Sequence, residues 1–380
     1  MRIAVFTECY RPIVNGVVVS VQTFTQELTK QGHEVHIYAP AYPGYRDSEP
    51  RVHRLPSVSP PTRPRYPLAL PFSSLLLRRA FAARPPDIIH AQHPFVTGRE
   101  ARRIARWLNR PLVFTYHTLI RAYAHYVPLP RVLVQAMAVR VSRDFPNSAD
   151  CVVVPTQAIA EVLRSYGVRR PIEVIPTGID LDLIDGSPRA SVRPRFGIPE
   201  GVPVVAFSGR IAREKSVDSL IRAFALLSHR LPEAHLLFVG GGPWYAPCRD
   251  LAASLGLSER VHFTGYLSRT EVFDCLAASQ AFAFPSLTDT QGVAVLEAMA
   301  LKCPPVVVRS GAVADVVEDG VNGLVVEPTD EALAEGLAAM LESADLRHRL
   351  AGRARQRAEE FSSGRMTARM ARVYQGLVGR

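Results

Sequence analysis

The chain has 380 residues, 47% hydrophobic and 21% charged, with a formal charge of +10. That length exceeds what one hydrophobic core organises, and the composition excludes a disordered or low-complexity chain, so two globular domains are expected. The positive balance calls for an anionic partner, whether nucleic acid, a phosphorylated substrate or an acidic membrane surface.

Short apolar runs alternate with helix-period segments from the first residue onward. "RIAVFT" (2–7), "HEVHIYAP" (33–40), "PDIIHAQ" (86–92), "RPLVFTYH" (110–117) and "DCVVVPT" (150–156) are rich in β-branched residues and read as buried strands of a parallel sheet. "SVQTFTQELTKQG" between the first two is a helix with Gly32 at its C-terminal cap, so the opening unit is βαβ. The rhythm breaks at "DGSPRASVRPRFGIPEG" (185–201), dense in Pro, Gly, Ser and Arg, which marks a domain boundary. It restarts with "PVVAFSGR" (203–210), "AHLLFVGGGP" (234–243), "RVHFTGY" (260–266), "QAFAFPS" (280–286) and "CPPVVVRSG" (303–311), separated by helices such as "SVDSLIRAFALLSHR" and "VAVLEAMAL". The pattern predicts an α/β protein of two doubly wound, Rossmann-like domains.

In such folds ligands bind at the carboxyl ends of strands, and the unusual residues fall there. After the first strand, Asn15 and Gly16 let the backbone approach a ligand just before a helix N-terminus, a seat for phosphate; a plain strand-to-helix turn explains them equally well. The missing G-x-G-x-x-G argues against a nicotinamide site at that turn. "SGRIAREKS" places Arg210 and Lys215 around a turn, with Ser216 as a cap for the next helix. Two cations beside a helix start suit a diphosphate. Of 45 basic residues only Lys30, Lys215 and Lys302 are lysine, leaving 42 arginines, a skew of base composition that makes Lys215 more telling than Arg210. "VGGGP" (239–243) alone says little. In "PSLTDTQGVAVLEAMA" (285–300), Asp289 follows a strand, Thr290, Gln291 and Gly292 open a helix whose free N–H groups can hold phosphate, and Glu297 lies on an otherwise apolar helix, where its charge requires a partner. The stretch "YHTLIRAYAHY" (116–126) ends a strand with Tyr116, His117, Tyr123, His125 and Tyr126, polar aromatics expected to line a site.

An acidic residue, seven positions, then Glu within "G-x-x-x-LEAMA", together with "SGR…EK", "PTGID" and the opening "NGV", resembles the retaining glycosyltransferases of family four, over essentially the whole chain. The resemblance implies the GT-B architecture, two facing Rossmann-like domains with a cleft between them. It implies an acceptor-binding domain at 1–180, a nucleotide-sugar-binding domain at 181–363 and a final helix, 364–380, that crosses back to the first. Carried onto this chain, it gives Arg210 and Lys215 the donor diphosphate, with Gly16 against the phosphate from the other domain. Glu297 would hold the ribose hydroxyls and Asp289 the transferred sugar, the backbone of Thr290, Gln291 and Gly292 lying near the phosphates. His117 of the strand-ending "HT" would lie at the reaction centre and orient the sugar, while Tyr123, His125 and Tyr126 would line the acceptor side. The family usually has Glu where this chain has Asp289, a carboxylate withdrawn by one methylene, which bears on donor-sugar preference. Within the family, "YHT…Y…HY" followed by "VSRDFPNSADCVVVPT" resembles the bacterial diacylglycerol glucosyltransferases.

No carboxylate pair reads as a glycosidase-type acid and nucleophile. The family picture is instead front-face transfer, in which the departing diphosphate helps deprotonate the acceptor hydroxyl. No cofactor or metal is expected: Cys9, Cys151, Cys248, Cys275 and Cys303 are scattered without metal spacing and fit a reducing compartment. The N-terminus shows no leader pattern and no apolar run approaches the roughly 18 residues of a membrane span, so a cytoplasmic protein, peripheral to the inner membrane face, is expected. "GREARRIARWLNR" (98–110) gathers Arg99, Arg102, Arg103, Arg106 and Arg110 on one helical face, with Ile104, Trp107 and Leu108 away from it, either a docking face for anionic lipid or a solvated helix. "PLALPFSSLLLRRAFAARP" (67–85) is a second such segment or a covering helix. The expected reaction is therefore transfer of a hexose, glucose from UDP-glucose, to a membrane glycerolipid such as diacylglycerol. A GDP-mannose-dependent mannosyltransferase acting on a phosphoinositide or glycolipid is the alternative. A sugar-nucleotide epimerase would need a further carboxylate, and the dispersed arginines with no recognition motif argue against nucleic acid.

Overall fold

The computed structural model describes residues 1–60, 66–71, 74–122, 130–186, 192–311, 313 and 315–379. The chain divides into two compact units, Met1–Gly178 with Ser363–Arg380, and Ile179–Ser362, so the division falls before the Pro- and Gly-rich stretch that the composition singles out.

Unit 1 runs β1 (Arg2–Phe6), α1 (Gly16–Lys30), β2 (Glu34–Pro40), β3 (Val52–Leu55), β4 (Ser57–Val58), β5 (Leu68–Ala69), α2 (Ser74–Ala83), β6 (Ile88–Ala91), α3 (Val96–Leu108), β7 (Leu112–Thr115), α4 (Arg131–Asp144), β8 (Cys151–Val154), α5 (Gln157–Ser165) and β9 (Ile172–Val174). Seven strands form a parallel sheet in the order β3-β2-β1-β6-β7-β8-β9, with β4 and β5 as a small antiparallel ribbon. Both sheet faces are covered, which is why the strands are apolar throughout rather than alternating. Along β1, Ala4 and Phe6 pack on one face with Ile89, Phe114 and Val152, while Ile3 and Val5 pack on the other with Ile88, Val113 and Val153.

Unit 2 runs α6 (Leu181–Gly186), β10 (Val204–Ser208), α7 (Val217–Arg230), β11 (His235–Val239), α8 (Tyr245–Ser254), β12 (Val261–Phe263), α9 (Arg269–Ala277), β13 (Ala281–Phe284), α10 (Val293–Ala300), β14 (Pro305–Val308), β15 (Leu324–Val326), α11 (Asp330–Glu342) and α12 (Ala344–Glu360). Its parallel sheet has the order β12-β11-β10-β13-β14-β15. The last helix, α13 (Ser363–Val378), belongs to unit 1. Met366, Met370 and Tyr374, spaced one turn apart, join the core that holds Val18, Val21 and Leu28 of α1. Buried His90 of β6 fixes that helix: its Nδ1 is 2.7 Å from the Tyr374 hydroxyl and its Nε2 2.7 Å from Thr115 Oγ1.

Each sheet turns back once. In unit 1 strand order reverses between β1 and β6, and in unit 2 between β10 and β13. Right-handed crossovers put the helices leaving those neighbouring strands on opposite faces, which opens a crevice outside the strands' carboxyl ends. These two points position everything that follows.

Candidate active site

At the unit 2 crevice, β10 ends at Ser208 and the chain continues through Arg210 into a 3-10 turn, Arg213–Lys215. The adjoining loop is held against it by backbone: Gly209 N–H donates to Val239 O, Ile211 N–H to Gly241 O and Trp244 N–H to Ile211 O. A side chain on Gly240 would collide with the Gly209 carbonyl, and one on Gly242 with the Ile211 carbonyl, so the glycines of "VGGGP" serve close packing of two loops. Ser216 occupies the cap position of α7 in a left-handed conformation, φ 52°, and its hydroxyl does not cap, contrary to expectation. Across the crevice, Asp289 follows β13, Gly292 precedes α10 with no side-chain cap bond, and Glu297 lies on α10, 3% exposed. The Gly292 cap position thus offers the first turn of α10 no side-chain acceptor.

Three ion pairs organise this crevice. Arg210 pairs with buried Glu214, Lys215 with Asp289, and Arg269 at the start of α9 with Glu297. The pair on Glu297 answers its burial cost with an arginine whose guanidinium also lies over the Phe273 ring, 5.2 Å from its centroid. Thr288 Oγ1 donates to the Glu214 carbonyl at 2.8 Å, tying the loop before Asp289 to the turn that carries Lys215. Asp289 keeps one buried oxygen, Oδ2, without a hydrogen-bond partner among the described residues. Glu214 stands in the "SGR…EK" motif without a role of its own there, and Arg269 stands in no recognisable motif. A carboxylate between two basic residues in "REKS" is the one signal that pointed to the first.

The unit 1 crevice is built differently. Asn15 caps α1, its Oδ1 accepting from Val18 N–H at 2.9 Å, and is committed to that role. Gly16 opens α1 with no protein atom within 4 Å of where a Cβ would stand, so packing does not demand glycine there. His117 follows β7, with Nε2 2.6 Å from Gln92 Oε1, so Gln92 holds the Nε2–H tautomer. The His93 and His117 rings lie 6.5 Å apart. Burial pushes His93 down to about 4, and burial first, then His93 and His90, hold His117 well below the ordinary histidine range. Tyr116 turns away into the core, its hydroxyl 2.9 Å from Ser142 Oγ, and is not a lining residue as expected. Tyr123, His125 and Tyr126 lie outside the described residues. Gln92 was legible only as part of a strand.

The arginine helix also differs from expectation. Asn109 closes α3 in a left-handed conformation, which leaves Arg110 outside it. Arg102 lies over the Phe145 ring, and Trp107 is exposed beside Arg78 rather than turned inward. The exposed cations are Arg99, Arg103 and Arg106, Arg103 being paired with buried Glu100. In 67–85, α2 packs Phe81 against Tyr38, as a covering helix does. All five cysteines are buried, and none is joined in a disulfide. Among the described residues no three His, Cys, Asp or Glu are placed to hold a metal, and no helix is long and apolar enough to cross a membrane.

Comparison with known proteins fits this layout. Residues 14–183 match the family described as Glycosyltransferase Family 4, and residues 188–357 match Glycosyl transferases group 1. The chain is 31% identical to the alpha-monoglucosyldiacylglycerol synthase of Streptococcus pneumoniae over 80% of this chain and 70% of that protein. It is 30% identical to a GDP-mannose-dependent alpha-mannosyltransferase of Mycobacterium tuberculosis over 86% of this chain and 83% of that one. In fold it is similar to the sucrose-phosphate synthase of Thermosynechococcus elongatus, with a TM-score of 0.82 at 22% identity over 100% of this chain and 99% of the other. The chain belongs to glycosyltransferase family 4, and is a retaining, nucleotide-sugar-dependent hexosyltransferase with the two Rossmann-like domains of the GT-B fold.

Proposed function

We propose that the enzyme transfers glucose from UDP-glucose to a membrane glycerolipid, with diacylglycerol as the acceptor. The observation that carries the donor half is the Lys215–Asp289 pair with its unpartnered Asp289 oxygen, set beside the uncapped start of α10. Such a pair can exchange partners in one step. A diphosphate takes Lys215 and the α10 amides, sugar hydroxyls take Asp289, and neither charge is left buried alone. Arg210 is the second diphosphate cation, and the backbone of Thr290, Gln291 and Gly292 lies by the phosphates. Glu297, already oriented by Arg269, takes the ribose hydroxyls.

In unit 1 the start of α1 at Gly16, where the backbone is open to approach, is assigned to a phosphate oxygen and neutral His117 to the hexose near its anomeric carbon. The acceptor side is assigned to the segment containing Tyr123, His125 and Tyr126. As the bond from the anomeric carbon to the diphosphate breaks, the leaving oxygen takes the acceptor's hydroxyl proton and the new bond forms on the same face, which retains configuration. The growing charge on the diphosphate is met by Arg210, Lys215 and helix amides, so no cofactor or divalent ion is assigned a part.

The lipid half rests on similarity to the diacylglycerol glucosylating relative and on exposed surface in unit 1. Along α4, Val132, Leu133 and Met137 are exposed among Arg131, Arg140 and Arg143, and α3 presents Arg99, Arg106 and Trp107. Apolar side chains among cations suit peripheral docking on an anionic leaflet, worth about 1 kcal/mol per basic residue near the surface. A second reading, GDP-mannose with a phosphoinositide or glycolipid acceptor, is favoured by the comparable identity to the mannosyltransferase. The test is transfer of labelled sugar to vesicles of diacylglycerol in phosphatidylglycerol, with product mass determined. A monoglucosyl lipid made from UDP-glucose supports the first reading. A product made from GDP-mannose alone moves the assignment to the second.

A further inference from the structure

One buried carboxyl group belongs to none of the assignments above. Glu8 stands two residues beyond β1, and His93 two residues beyond β6, so the pair sits at the unit 1 crevice where strand order reverses. The backbone N–H of Glu8 donates to His93 Nδ1 at 3.1 Å, which places the imidazole proton on Nε2. One Glu8 oxygen, Oε1, accepts from Thr97 N–H in the first turn of α3 at 2.7 Å. The other, Oε2, is buried and has no hydrogen-bond partner among the described residues. Burial pushes the Glu8 carboxyl above the ordinary carboxylate range, and the Thr97 amide, the Thr97 hydroxyl and the Val96 amide offset this only in part.

An α-helix start needs one acceptor, and a serine or threonine would provide it without burying a charge. A carboxyl that caps with one oxygen and carries a second, buried and unmatched, costs stability, and such groups in native proteins mark sites where another molecule completes them. The surroundings select the kind of molecule. The imidazoles of His93 and His117 are held neutral by burial, and Cys9, Asn15 and Gln92 add only uncharged polar groups. No cation pairs with Glu8 among the described residues, so the immediate surroundings of its Oε2 suit a hydroxyl rather than a phosphate oxygen. The same device recurs in unit 2, where Asp289 has one oxygen held by protein and the other unmatched.

We propose that Glu8 is a ligand for the hydroxyl-bearing end of the acceptor, its Oε2 taking a hydrogen bond from an acceptor hydroxyl while Thr97 N–H fixes Oε1. The inference rests on the transferase reading above, in that an acceptor hydroxyl must be bound, but it does not depend on which hexose is moved.

The test is steady-state kinetics of the full chain and its Glu8→Gln variant, with the concentration of diacylglycerol in phosphatidylglycerol vesicles and that of UDP-glucose varied separately. Gln keeps the acceptor for Thr97 N–H and replaces the unmatched oxygen by an amide. The expected result is a rise of about tenfold in the KM for diacylglycerol, with the KM for UDP-glucose within about twofold of the parent. Glu8→Asp, which keeps the charge but withdraws it, is expected to fall between. Thermal unfolding of Glu8→Gln should be at or above the parent midpoint, because a buried charge is removed. An unchanged diacylglycerol KM, or equal movement of both KM values, would overturn the proposal. So would a lower unfolding midpoint with normal kinetics, which would make Glu8 a helix cap only. If the parent enzyme makes product with a different donor and acceptor, the functional reading fails on that result alone, and the same two KM values on the working pair still decide Glu8.

Discussion

The two crevices occupy equivalent places in two sheets of the same design and hold opposite chemistry. In unit 2 six charged side chains stand in three ion pairs around an uncapped helix start. In unit 1 the imidazoles are neutral, the asparagine is committed to a cap, and the one carboxyl is matched on a single oxygen. The contrast teaches that the fold supplies a location and the loops after the strands supply the ligand class. Paired charges can be exchanged for a diphosphate, whereas neutral donors and acceptors with one spare carboxyl oxygen suit hydroxyls.

The largest effect should come from breaking the charged crevice. Lys215→Ala is expected to lower kcat/KM for transfer by about a hundredfold to a thousandfold, because it removes a preorganised cation from the leaving group, and to lower the unfolding midpoint, because Asp289 loses its partner. Glu297→Ala should cost a comparable amount through donor KM. Wild-type rates for both variants would break the comparison.

The peripheral face comes next. Replacing Arg99, Arg103 and Arg106 together by Gln should weaken binding to anionic vesicles by about two orders of magnitude, at about 1 kcal/mol each, and leave binding to neutral vesicles unchanged. Vesicle sedimentation at two lipid compositions reads this directly.

Gly16→Ala sharpens the unit 1 side. Its new methyl group enters open space, so the unfolding midpoint should hold, while transfer falls about tenfold if a phosphate oxygen needs that approach. Equal activity would show that Gly16 is only a helix start.

The pH dependence of stability is the subtlest. The unfolded chain protonates His93 at an ordinary histidine value, 6.5, while the folded chain resists until about 4. Stability therefore falls as pH drops through that window, by up to about 1.4 kcal/mol per pH unit for one such group. His93→Gln should flatten the acid side of the curve. Glu8 has the opposite sign: its raised carboxyl favours the folded state at low pH and loses that contribution as pH rises, so Glu8→Gln should gain stability mainly above the ordinary carboxylate range. Thermal unfolding from pH 4 to 8 measures both.

The central strands are legible because burial on both faces makes them unbroken apolar runs, and all ten strands that the sequence marks are present, the edge strand β12 among them. Of the five strands with no mark in the sequence, β4 and β5 are two-residue pieces of a ribbon, and β3, β9 and β15 lie at sheet edges, are short, and are half-exposed, as "VHRL" and "IEV" show. An edge strand carries polar positions and loses the run that identifies it. In the site, Lys215, Asp289 and Glu297 could be read because composition or burial cost made each conspicuous. Their pairing could not: Lys215 and Asp289 are 74 residues apart, and only the strand order brings them together. Arg269 was hidden among the arginines. Glu8 carried a usable sign, a carboxylate directly after a buried run in "RIAVFTE", but its unmatched oxygen is a property of packing alone.

The most direct test of the division between a donor crevice in unit 2 and an acceptor crevice in unit 1 is calorimetric titration of UDP-glucose into the parent enzyme, Lys215→Ala and Glu8→Gln. The account predicts that Lys215→Ala weakens binding at least tenfold while Glu8→Gln binds as the parent does. Parent-like binding by Lys215→Ala, or a loss on Glu8→Gln as large as that on Lys215→Ala, would contradict it.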